Sequence, residues 1–406
     1  MDYEAGAPTR MPIWPLAATI AVQTLATMAL YSLPAVAPAV ARDLGLNGAL
    51  VGGFVATAYG VGIVSALLSP ALIRRYGSVR ATQVVLLAAF GMLAIAGTAR
   101  GVASLTVSAG VLGLAYGAAA PASTHLLAPK TPQPVFNMVM SLRQIGVPLG
   151  GVLAALVLPP LVGTLGWRGA LLAETIPVVA LILLMEIPRK RWDAELDRTR
   201  RRLGQTLVRP FLLLADPRIR HLSSGAFIYS GLQLCFVSFM TVQLTTVVHL
   251  DLVSAGQVLA VYQIAGSVSR PIWGWVADRF LTPSHTLAVL GAGMAAAAAL
   301  AGQFGPAWPG WAVVAVALLA GCTAGGYTGI AYAEYARLGG TRRTEASGLG
   351  TALMFSGGML MPPVMAAAVT ARGEYGLSYA VAGALALAGA AMLATGVGHW
   401  RVRRNQ

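Results

Sequence analysis

Two arginines stand in otherwise apolar sequence, Arg143 in MSLRQIGVPLGG and Arg270 in SVSRPIWGWVADRF. A charge at the centre of a membrane-spanning helix costs about 2.5–3.5 kcal/mol on insertion scales, so such a residue is usually kept for a function. Guanidinium stays charged at every working pH and presents planar pairs of donors that match a carboxylate. Both arginines are therefore candidate anion-binding groups. Arg270 is eight residues, about 12 Å along a helix, from Asp278 near the end of its span. Arg143 lies about seven residues, about 10 Å, inside its own span, which puts the two at similar depth. The alternative is structural: an arginine that pairs with a backbone carbonyl or with Glu174 and only holds helices together.

Other polar side chains share these apolar runs. Gln144, Tyr31, Tyr59, Gln233 and Gln263 are the candidate companions of the arginines in a substrate site, although each alone is more often an interhelical hydrogen bond. Glu174 lies nearly two turns beyond Trp167 and Arg168, where it could titrate with a coupling proton; a capped or snorkelling carboxylate is the plainer reading. The five histidines are too scattered for a metal site, and no cofactor site is expected. Cys235 and Cys322 sit in apolar runs without a CxxC, which makes them packing residues. Neither GxSxG, HExxH nor a P-loop occurs, so the chain is not read as an enzyme.

These groups need elements to position them, and composition says which. Hydrophobic residues make up 57% of the chain and charged residues 10%, with mean hydropathy +0.71, far from the roughly 25% charge of soluble domains. An all-α integral membrane protein follows. The apolar runs predict twelve transmembrane helices, at about 12–40, 48–72, 80–99, 102–126, 136–162, 168–188, 219–247, 254–279, 284–304, 309–336, 346–371 and 376–399. The first run is too long for a signal peptide and reads as an uncleaved span.

A basic segment, Arg189 to Arg220, holds ten of the 28 basic residues and divides the chain. The expected organisation is a six-helix bundle over 1–188, a cytoplasmic linker over 189–218 and a second six-helix bundle over 219–406. With the N-terminus in the cytoplasm, 22 Lys and Arg fall on that side and four on the other, which predicts an inner-membrane protein with both termini cytoplasmic. The same loops account for the net charge of +14 without nucleic acid, because anionic lipid is their natural partner. Trp192, Leu196, Leu203 and Leu207 fall near one helical face, which predicts an interfacial helix in the linker. The halves repeat: Arg74-Arg75 and Asp278-Arg279 lie 204 residues apart, and Gly113-xxx-Gly117 and Gly321-xxx-Gly325 lie 208 apart.

Those features resemble the major facilitator superfamily, whose loop after the second helix of each half reads G-x-x-x-D-R-x-G. GWVADRF, Gly274 to Phe280, matches its first part, with Leu281 in place of the later glycine; PALIRRYG, Pro70 to Gly77, keeps Arg75 and Gly77 but has Arg74 in place of the acid. The resemblance implies two pseudo-symmetric bundles that alternate access to a central cavity, with Asp278, Arg279, Gly274 and Arg75 in gating positions. It also implies that the fifth and eighth helices, carrying Arg143 and Arg270, face each other across that cavity. The run Arg270, Pro271, Gly274 is similar to helix 8 of the monocarboxylate porters, where the arginine meets a carboxylate. GVPLGG, Gly146 to Gly151, is similar to G-P-x-x-G-G of proton-coupled drug antiporters with altered spacing. The expected activity is secondary transport of a small organic anion, a mono- or dicarboxylate, with protons or by exchange, by a monomer. The alternatives are an exporter of amphipathic drugs and a membrane receptor that transports nothing.

Overall fold

The computed structural model describes residues 11–45, 50–193, 207–372 and 375–401. Helices account for nearly all of them. In chain order these are α1 (Ile13–Ala35), α2 (Ala37–Leu44), α3 (Leu50–Tyr76), α4 (Ser78–Gly97), α5 (Val102–Tyr116), α6 (Ala119–Leu127), α7 (Phe136–Arg143) and α8 (Gly146–Leu184). After α9 (Glu186–Trp192) come α10 (Pro217–Thr246), α11 (Leu252–Arg279), α12 (Pro283–Ala301), α13 (Gly310–Ala324), α14 (Tyr327–Gly339), α15 (Arg343–Arg372) and α16 (Gly376–Arg401). No strand occurs among the described residues.

Nine helical stretches of the described residues are long and apolar enough to cross a membrane. Seven are single crossings, and two, Gln133–Trp192 and Gly310–Val369, have 60 residues each, enough for two crossings at about 20 residues apiece. With α11 this makes the expected twelve. Inside α8 the fold-back falls at Gly166, whose φ of +69° is a left-handed conformation that a side chain would oppose. Three spans read from the sequence as unbroken are interrupted near their middles: at Gly117–Ala118, at Gln144–Ile145 and at Gly325–Gly326.

Each half has its own apolar core. One cluster joins Leu30, Leu86, Met92, Leu112, Leu158 and Trp167, and the other joins Leu232, Phe236, Leu290, Met294, Tyr327 and Tyr379. Lipid is as apolar as these side chains, so close van der Waals approach, not exclusion from water, holds the helices. The glycine pairs supply that approach, and they do so symmetrically. A Cβ on Gly113 would lie 2.7 Å from the Ala58 carbonyl oxygen, and one on Gly117 2.1 Å from that of Gly62. In the second half a Cβ on Gly321 would lie 2.3 Å from the Tyr262 oxygen, and one on Gly325 2.3 Å from the Gly266 Cα. Ala58 and Tyr262, like Gly62 and Gly266, are 204 residues apart, so the same contact is built twice.

The linker begins by folding back on the first half. Trp192 packs against its core, and the Asp193 carboxylate accepts from the backbone N–H of Val79 and Arg80 at the start of α4, at 3.0 to 3.4 Å. Burial pushes the Asp193 carboxyl up from its ordinary value, while those backbone donors oppose the shift. Leu207 packs beside Ala66 and Leu67. Leu196 and Leu203 of the expected interfacial helix lie outside the described residues.

Candidate functional site

A cavity of about 780 Å³ lies between the halves. It fits a small molecule, since ligand pockets run from about 300 to 1,000 Å³. Six of the seven residues singled out as substrate contacts line it: Tyr31, Tyr59, Gln144, Gln233, Gln263 and Arg270. Among the described residues on its wall, Arg270 is the sole charged side chain.

The helix breaks explain why Arg270 is held where it is. Pro148 has no N–H, so the carbonyl of Gln144, four residues earlier, loses its α-helical donor; the Val147 N–H reaches it only at 3.2 Å. Arg270 Nη1 donates to that freed oxygen from across the interface. Its Nε donates to the Gly325 carbonyl at 2.9 Å, at the break between α13 and α14. The Gly266–Gly325 approach, one turn before Arg270, brings this second oxygen within reach. The expected structural role is therefore present: backbone carbonyls fix the guanidinium, and three of its five N–H donors are left over on a residue that lines the cavity.

Arg143 does not line the cavity, which corrects the expectation that the two arginines share one site. Successive residues of a helix point about 100° apart at 3.6 residues per turn, and Gln144 takes the direction of the cavity. Arg143 is fully buried behind Tyr332, 4.9 Å from its ring centroid, and donates through Nη1 to Ser123 Oγ at 2.5 Å. Sequence depth alone could not distinguish the two directions.

The rest of the wall is largely aliphatic, with a group of aromatic rings set in it. Phe355 lies 4.8 Å from the Tyr59 ring and 5.8 Å from the Tyr116 ring, stacked on the latter at 16°. Tyr116 is tied to Thr27, 3.1 Å away, and Tyr332 to Thr351 at 3.0 Å. Near Arg270 two buried polar atoms have no protein partner, Gln144 Oε1 and Thr328 Oγ1. Sequence reasoning missed Thr328, Tyr332 and Phe355; the signal for the first was Gly325-Gly326 in mid-span, whose break turns the next residues into the cavity.

The end of the molecule that carries Arg74 and Asp278 is closed. Asp278 Oδ1 accepts from the Asn137 backbone N–H at 3.0 Å and from Asn137 Nδ2 at 2.7 Å, and Oδ2 accepts from the Met138 N–H at 2.9 Å. A carboxylate from one half thereby caps the first turn of α7 in the other. Gly274, one turn earlier, permits it: a Cβ there would lie 2.7 Å from the Met138 Cα. At the equivalent position of the first half, 204 residues earlier, Arg74 pairs at 3.1 Å with Glu345 in the first turn of α15. Arg342 joins the same carboxylate at 2.6 Å. Same position, opposite charge, and a partner of opposite sign: the substitution of Arg74 for the usual acid preserves an interbundle tie. Arg75, expected to gate, instead lies over Tyr76 of its own helix at 5.0 Å, because it points about 100° away from Arg74. Arg279 is exposed.

Asp278→Asn removes the charge and keeps the shape. A charge at a helix N-terminus contributes about 1 kcal/mol, so this end is expected to open about fivefold more often. A single cysteine at position 141, against which Gly329 packs, reports it in a background with Cys235 and Cys322 replaced by serine. Labelling from the Asp278 end should quicken by that factor; an unaltered rate removes Asp278 from the gate.

The Major Facilitator Superfamily profile matches residues 19–362, and again 222–404. The chain belongs to that superfamily. The 4-hydroxybenzoate transporter PcaK of Pseudomonas aeruginosa is 28% identical over 279 residues, which is 60% of this chain and 61% of that protein. Among solved structures, the human organic anion transporter MFSD10 superposes with a TM-score of 0.75 at 15% identity, over 95% of this chain and 100% of that one. The E. coli fucose:proton symporter FucP gives 0.73 at 15% identity, over 95% and 99%. At those identities the two structures establish the fold alone.

Proposed function

We propose that the protein is a secondary active transporter that moves a small organic anion by alternating access, and that its cargo is an aromatic monocarboxylate. The observation that carries this reading is Arg270, held by two carbonyls on the wall of the cavity and the sole charged side chain among the described residues there. A carboxylate placed there takes the free N–H donors of the guanidinium in a two-pronged geometry. The Tyr59, Tyr116 and Phe355 rings, the first inclined 59–60° to the other two, offer aromatic surface for the body of such a molecule. The 4-hydroxybenzoate in the name of the 28% identical relative supports the same class.

In this reading Arg143 lies outside the first contact with substrate. Asp278, Gly274 and Arg74 hold one end shut, and that end faces the cytoplasm of a plasma-membrane protein, on the 22-to-4 distribution of basic residues. A cationic drug is the poorer cargo because the only fixed charge among the described wall residues would repel it. The test is counterflow in proteoliposomes loaded with unlabelled compound. Labelled 4-hydroxybenzoate and related aromatic acids should enter; faster entry of a neutral sugar or of an amphipathic cation would overturn the assignment, and no entry of anything would favour a receptor.

A further inference from the structure

Glu174 is the one buried carboxylate of the first half among the described residues, 3% exposed on α8. The proposed anion site makes no use of it. Its Oε2 lies 2.5 Å from Ser32 Oγ on α1, and its Oε1 is buried with no hydrogen-bond partner. No basic side chain of the described residues forms an ion pair with it. The elements packed on α8 supply few titratable or charged groups. On α1 there is Tyr31, which lines the cavity; on α4 there is Arg80, held by Gln83 and Glu186. On α2 there are Arg42 and Asp43, both exposed, with Asp43 taken by Trp167 and by Arg168 of α8 itself. On α9, Glu186 and Arg189 bond each other, and Lys190 and Arg191 belong to the same basic end.

Counting protons at Ser32 decides the state of this group. Ser32 Oγ is also 2.7 Å from the Met28 carbonyl oxygen, one turn back along α1. A serine hydroxyl has one proton to donate. If it goes to Met28, the 2.5 Å contact with Glu174 is a hydrogen bond only when the proton on that side comes from Glu174. If it goes instead to an ionised Glu174, Ser32 Oγ and the Met28 oxygen face each other as two acceptors with nothing between them. The carboxylic acid satisfies both contacts, the one to Met28 at an ordinary O–H···O length and the one to Glu174 as a short hydrogen bond. It also leaves a neutral oxygen, and not half of a carboxylate charge, without a partner in an apolar core.

We propose that Glu174 is a proton-binding site that couples transport to a proton gradient, protonated in the conformation seen here. The proposal rests on the transporter reading and adds the coupling ion to it. The link to the cavity runs through α1: Ser32 is flanked by Tyr31 and followed by Pro34 and Ala35, all three on the cavity wall, and α1 ends at Ala35. Movement of that wall separates Ser32 from Glu174. The acid O–H then dissociates, leaving a carboxylate on α8 and giving the proton to water of the compartment that has gained access.

Infrared difference spectroscopy on the whole protein in lipid tests the protonation directly. A protonated-carboxyl C=O band should be present at neutral pH, be lost in Glu174→Gln, and shift in Ser32→Ala, where the acid loses its acceptor. In proteoliposomes, accumulation of an aromatic acid driven by a pH gradient, divided by counterflow of the same acid, should fall at least tenfold in Glu174→Gln. A band that survives in Glu174→Gln, or an undiminished ratio, overturns the proton site. Counterflow by the wild type judges the transporter reading separately: its absence sinks that reading, whereas counterflow without any Glu174 band sinks the proton site alone.

Discussion

Arg270→Lys is expected to weaken binding of an aromatic carboxylate about tenfold or more, and Arg270→Gln about a hundredfold, with membrane insertion as in the wild type. A hydrogen bond to a charged group is worth about 1.5–3 kcal/mol, and 1.4 kcal/mol is a factor of ten in affinity. The lysine variant keeps the charge, so its deficit isolates geometry. An ammonium cannot hold the Gly325 and Gln144 carbonyls through two nitrogens and keep further N–H donors in the same rigid plane, as the guanidinium does. Calorimetry in detergent reads the affinities. Size exclusion controls for the fold, since losing the two carbonyl contacts also loosens the closed interface.

The second large effect is on stability. Gly325→Ala adds one carbon where a Cβ would stand 2.3 Å from the Gly266 Cα, and backbone on both sides leaves nothing flexible to give way. Separation of α11 from α13 should cost about 1–3 kcal/mol, the usual range for overpacking. It also carries the Gly325 oxygen away from Arg270 Nε, so affinity for the acid should fall along with thermal stability. Gly305→Ala is the control, because a Cβ there meets nothing within 4 Å. A Gly325→Ala protein as stable as the Gly305→Ala protein would contradict the tight crossing.

How much of this was legible beforehand depends on what kind of signal carried it. Twelve spans followed from apolar runs and loop charge, and the glycine pairs at matching offsets revealed the repeat because close packing demands the smallest residue at those positions. The cavity wall was largely legible too: a glutamine or tyrosine in a lipid-spanning run must face protein or cavity, and Gln144, Gln233, Gln263, Tyr31 and Tyr59 all line the cavity. Direction was not legible. Arg143 and Arg270 have the same chemistry and similar depth, yet Arg143, one residue of helix rotation from the cavity-facing Gln144, lies behind Tyr332, whereas Arg270 is on the wall. Arg74 and Arg75 divide in the same way, by one residue of helix rotation. Nor was Phe355 legible, because a phenylalanine that stacks in a cavity reads like one that faces lipid.

The central claim is that Arg270 selects an anion in this cavity, and one comparison tests it most directly. Binding of 4-hydroxybenzoate and of its uncharged amide should be measured by calorimetry on the wild type and on Arg270→Gln. The account predicts that the wild type prefers the acid at least tenfold and that the preference disappears in the variant. Equal affinity for acid and amide in the wild type, or an acid preference that survives the loss of Arg270, would contradict it.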